Sequence, residues 1–88
     1  MASGLDNIGF AAFQIGQSAD ETQQRTLICA DTLKTQATQL AAIVGQRSRS
    51  GQDAVRQVQQ AERAVRECAA RLLTLQSTVD RFVNDLEK

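Results

Sequence analysis

With 88 residues the chain is at most one small domain, of a size whose single core yields only a few kcal/mol unless it is stapled or shared with a partner. It has no Pro, Trp, Tyr or His, and ten Lys+Arg balance ten Asp+Glu, so nothing global draws it to nucleic acid or to an anionic membrane surface. The remaining composition, rich in Ala, Gln, Leu, Val, Arg and Thr, predicts an all-α fold.

The amino-terminal stretch MASGLDNIGFAAFQIGQ has no Lys or Arg before Arg25 and is broken by polar residues, so it does not read as a secretory signal. No stretch approaches the roughly 20 apolar residues of a membrane span. Leu5, Ile8, Ala12, Ile15 and Ala19 recur at helical spacing, which favours a helix from about residue 6. Gly9, Gly16 and the capping-box pattern Ser18-Ala-Asp-Glu21 argue for a later start near Ser18. Ala12, Gly16, Ala19, Gln23, Thr26, Ala30, Leu33, Ala37, Leu40 and Val44 step by four and three, so helix one spans about 6–44.

Residues 45–51 lack a large apolar side chain and predict a turn. Gly45 suits a left-handed helix end, and Ser50-Gly-Gln-Asp53 offers an amino-terminal cap for helix two, about 52–87. In that helix Ala54, Val58, Ala61, Val65, Cys68, Leu72, Leu75, Val79, Phe82 and Leu86 repeat at coiled-coil spacing. Two long helices joined by so short a turn run antiparallel, giving one domain over 1–88. A fold centred on Arg49 pairs Leu40 with Val58, Leu33 with Val65, Ala30 with Cys68 and Gly16 with Phe82, and sets Lys34 opposite Glu62.

That register leaves an apolar flank. Phe13, Leu27, Ala41, Val55, Ala69 and Val83 share one side, and Phe10, Ile28 and Leu73 also fall outside the seam. So much uncovered apolar surface predicts a protein partner and a four-helix bundle, with a different helical protein preferred over a second copy. Cys29 and Cys68 lie almost equidistant from the turn. Small buried core residues and a disulfide are both open readings.

Catalysis is not expected. Without His or Tyr the general bases reduce to Asp, Glu and Lys scattered along helix faces, with no phosphate loop and no metal-ligand spacing. No cofactor, metal or small-molecule substrate is expected either. Residues 46–71 carry six Arg, but Glu62 and Glu67 interrupt them and no aromatic is interleaved, so a solvated helix face is read rather than a nucleic-acid stripe.

The length, the hairpin and the turn LAAIVGQRSRSGQDAV resemble the small WXG-type proteins of bacterial type VII secretion, the early-secreted-antigen family. Ile43, Val44 and Gly45 stand where that family has Trp-any-Gly. Both the Trp and the family's carboxy-terminal export signal, Tyr followed four residues on by an acid, are missing here. The resemblance implies a small secretion substrate, or a targeting partner for a secreted helical protein, in the bacterial cytoplasm or exported without a cleaved signal. The alternative is a coiled-coil adaptor or assembly subunit unrelated to secretion.

Overall fold

The computed structural model describes residues 4–45 and 47–86, with Leu5 described by its backbone alone. Gln46 of the expected turn, residue 87 at the expected end of helix two and the Leu5 side chain lie outside the described residues. Two helices, α1 (Gly4–Val44) and α2 (Arg49–Leu86), pack against each other as an antiparallel hairpin. The rod measures 69 × 15 × 13 Å.

Helix α1 takes the earlier start and runs through Gly9, Gly16 and Ser18 without a break. Its threonines fit a helix because their hydroxyls bond back one turn: Thr22 donates to the Ser18 carbonyl at 2.8 Å and Thr26 to that of Thr22 at 2.6 Å. Thr26 can therefore face α2 with its hydroxyl already satisfied.

The connection is shorter than residues 45–51. Gly45 ends α1 in the left-handed region at φ 60°, its N–H donating to the Ala41 carbonyl at 2.9 Å. The cap of α2 is Ser48 rather than Ser50. Ser48 Oγ accepts from the Gly51 N–H at 3.1 Å, and its carbonyl accepts the first helical bond from Gln52 at 3.0 Å. Gly51 thus belongs to the first turn of α2, where the Val44 side chain occupies the space a Cβ would need. The two glycines bounding the expected turn have different tasks. Gly45 supplies a backbone angle and Gly51 supplies room.

Moving the cap forward moves the register. A Cβ on Gly9 would meet Leu86 at 3.8 Å and one on Gly16 would meet Val79 at 3.3 Å, while Gly51 faces Val44. Those pairs sum to 95, not to 98. The same spacing aligns Ala12 with Val83, Ala19 with Gln76, Gln23 with Leu72 and Thr26 with Ala69. It continues through Ala30 with Val65, Leu33 with Glu62, Ala37 with Val58 and Leu40 with Val55, every one of them buried or half-buried. The expected pairings about Arg49, including Gly16 with Phe82, are corrected accordingly.

Candidate partner-binding site

Helix α1 faces its partner with the residues its periodicity marks. In α2 only half of the expected seam faces inward. Val58, Val65, Leu72, Val79 and Leu86 alternate with Val55, Glu62, Ala69, Gln76 and Val83, while Ala61, Cys68, Leu75 and Phe82 are exposed and Ala54 is half-buried. Val55, Ala69 and Val83, expected on the partner flank, therefore lie between the two helices, and Ala69 is only 1% exposed. The physical reason is the three-residue difference in register, which turns α2 so that its other flanking row enters the seam.

The seam is thinly filled. The fully buried apolar residues are Ala19, Ala30, Ala37 and Ala69, and no large side chain among the described residues is fully buried. Outside it stand Ile8, Phe10, Phe13, Ile15, Leu27, Ile28, Ile43, Leu73, Leu75 and Phe82, each at least one third exposed. Of the expected partner residues, Phe10, Phe13, Leu27, Ile28, Ala41 and Leu73 are among the exposed ones.

Positions flanking the seam form two unlike edges. One carries Phe13, Asp20, Leu27, Lys34 and Ala41 of α1 beside Gln52, Gln59, Arg66, Leu73 and Asp80 of α2. Shallow grooves there join Lys34 and Ala41 to Gln59 and Glu62, and Phe13 and Asp20 to Gln76 and Asp80. Glu62 does not pair with Lys34. It accepts from Arg66 Nε at 2.8 Å, while Arg66 Nη2 donates across the hairpin to Asp31 at 2.9 Å. These hydrogen bonds, first that to Glu62 and then that to Asp31, raise the Arg66 pKa above its ordinary value, so the arginine stays charged throughout the usual pH range.

The opposite edge carries Ile8, Ile15, Thr22, Cys29, Gln36 and Ile43 of α1 beside Ala54, Ala61, Cys68, Leu75 and Phe82 of α2. No Asp, Glu, Lys or Arg occurs in either row. Cys29 and Cys68 both sit on this edge as free, exposed thiols, which corrects the reading of small buried core residues.

At the turn, Ile43 is 82% exposed, Val44 packs toward Gly51 and Gly45 closes α1. Among the described residues no three His, Cys, Asp or Glu gather as metal ligands, and no helix is long and apolar enough to cross a membrane. The uncharged edge escaped the sequence reading because its α2 row was assigned to the core. The signal that could have found it was the absence of charge along both rows. No protein-family model, curated protein or solved structure matches the chain.

Proposed function

We propose that the chain is a non-enzymatic interaction hairpin that completes a four-helix bundle by docking on another helical chain. One observation carries this reading: among the described residues the hairpin fully buries only four alanines while leaving ten large apolar side chains exposed. A small domain that spends its bulky residues outside its own seam needs a second surface to cover them. The resemblance to the WXG-type hairpins supplies the biological setting, a small type VII secretion substrate or the targeting partner of a secreted helical protein.

Unfolding of the purified chain by urea at increasing protein concentration, alone and with helical products of adjacent genes, tests the interaction role. The midpoint is expected to rise with concentration or with an added partner. A monomer that unfolds cooperatively at one fixed midpoint under all these conditions contradicts the role. The setting is tested separately by comparing the chain's level in culture filtrate with and without the secretion ATPase, and equal levels would leave only the adaptor role.

A further inference from the structure

We propose that the uncharged edge is a self-recognition face on which a second copy of this chain docks with the two hairpins pointing the same way, Ile8 and Ile15 of each copy lying over Leu75 and Phe82 of the other. This deepens the interaction reading above and rests on it, naming a second copy where the sequence alone favours a different helical protein. Three observations select the edge and the occupant.

The first is charge. In a two-fold contact one surface meets its own copy, so a charged row must find its complement within itself or be desolvated unpaired. The edge with Asp20, Lys34, Arg66 and Asp80 carries that cost, whereas the two rows of the opposite edge hold no charged residue, and the charges beside Cys68, Glu67 and Arg71, stand at its outer margin. The second is size. The α1 row from Ile8 to Ile43 runs about 50 Å at 1.5 Å per residue, and across the 15 Å width of the rod it offers roughly 800 Å² per copy, about that of a standard stable interface.

The third is the distribution of bulk. Four of the five large apolar residues of this edge, Ile8, Ile15, Leu75 and Phe82, between 41% and 55% exposed, gather toward the open end of the hairpin, whereas Gln36, Ala54, Ala61 and the fifth, Ile43, lie toward the turn. A two-fold axis along the rod sets each copy's α1 over the other's α2 and stacks the bulky ends together. Hairpins pointing opposite ways would set Gln36, Ala54, Ala61 and a single bulky residue, Ile43, against those four. In the hairpin register Cys68 lies level with Leu27, only two residues from Cys29, or about 3 Å along the axis. The same-way arrangement therefore brings Cys29 of one copy against Cys68 of the other, twice.

The native chain supplies its own probe. Copper phenanthroline oxidation followed by non-reducing electrophoresis, with sedimentation under reducing conditions, is expected to show a dimer. Its covalent form should be lost in Cys29→Ser and in Cys68→Ser separately, since neither thiol then has its opposite number. The double variant Ile15→Glu, Phe82→Glu should raise the dimer dissociation constant on the order of 100-fold, while Phe13→Glu, Leu73→Glu on the charged edge should leave it unchanged.

A dimer whose cross-link survives both single serine variants has like cysteines apposed and overturns the proposal, as does a dimer dissolved by the charged-edge variant. A chain that stays monomeric but is stabilised by a different helical protein also overturns it, leaving the interaction role intact. A monomer with a concentration-independent midpoint and no stabilising partner removes both.

Discussion

The turn half and the open half of the hairpin share one seam but allocate bulk in opposite ways. Near the turn, α1 turns Leu33, Leu40 and Val44 inward toward Val55, Val58 and Val65. At the open end it turns Gly9, Ala12, Gly16, Ala19 and Gln23 inward and leaves Ile8, Phe10, Phe13 and Ile15 in solvent. Small inward residues let α2 approach closely, as the 3.3 Å separation of a Gly16 Cβ from Val79 records. They contribute little apolar burial. On α1, therefore, the turn half puts its bulk into the seam and the open half keeps apolar surface available to something else, so that Leu72, Val79, Val83 and Leu86 of α2 supply the bulk of the seam there.

Introducing one charge into each half should break that comparison most forcefully. Ala30, fully buried, faces Val65 on the turn side, and Ala30→Glu should cost several kcal/mol and abolish most of the helical circular dichroism, because the carboxylate has no water and no partner. Ala12→Glu, half-buried at the open end, should remove only part of the signal and leave turn-side amides protected from exchange. Equal collapse of both variants would show that the halves are one cooperative unit. Next in size is Gly51→Ala. The added methyl collides with Val44 at the point where the turn half closes, which should lower stability by about 1–3 kcal/mol in urea titration. An unchanged midpoint would place Val44 elsewhere.

The seam of helix α1 was legible in the sequence, because one row of its face is small or apolar but for Gln23 and its end is marked by Gly45, while its start stood open between about residue 6 and Ser18. Helix α2 was legible as a helix but ambiguous in rotation. Its central row, Val58 to Leu86, is flanked on one side by Ala54, Ala61, Cys68, Leu75 and Phe82 and on the other by Val55, Glu62, Ala69, Gln76 and Val83. Hydrophobicity selects the first flank, and the structure buries the second. What decides is the choice between Ser48 and Ser50 as cap, two serines equally competent in isolation. The decision comes from Gly51, which alone lets Val44 pack over the first turn of α2. Contact between Val44 and Gly51 is a tertiary fact that periodicity along a single helix does not contain. The candidate site followed the same error: a row taken for core became the uncharged edge.

Two milder changes should sharpen the contrast by strengthening the open half. Gln76, aligned with Ala19, buries its Nε2 without a hydrogen-bond partner among the described residues, a cost of about 1–3 kcal/mol for such a group. Gln76→Leu should recover about 1 kcal/mol, read as a higher urea midpoint. Gly9→Ala adds a methyl at ordinary contact distance from Leu86, 3.8 Å, and removes a flexible residue from a helix interior, so it should add about 0.5–1 kcal/mol. Loss of stability in either would mean that the open half is packed more tightly than its small residues imply.

The smallest effect belongs to the ion pair that crosses the charged edge from α2 to α1. Arg66 reaches Glu62 through Nε and Asp31 through Nη2, using two separate corners of one guanidinium. A lysine presents a single ammonium and cannot hold both carboxylates in that geometry. Arg66→Lys should therefore keep the helical bond to Glu62 at best and lose the only one of the two that crosses to α1. Because Asp31 is largely exposed, water and salt screen the pair, and the loss should be a midpoint shift smaller than that of Gln76→Leu. Raising the salt concentration to about 1 M, where the screening length falls to about 3 Å, should bring the variant and the parent together. A difference that persists in high salt would assign Arg66 a packing role, its aliphatic stem covering Glu62 and the seam, rather than an electrostatic one.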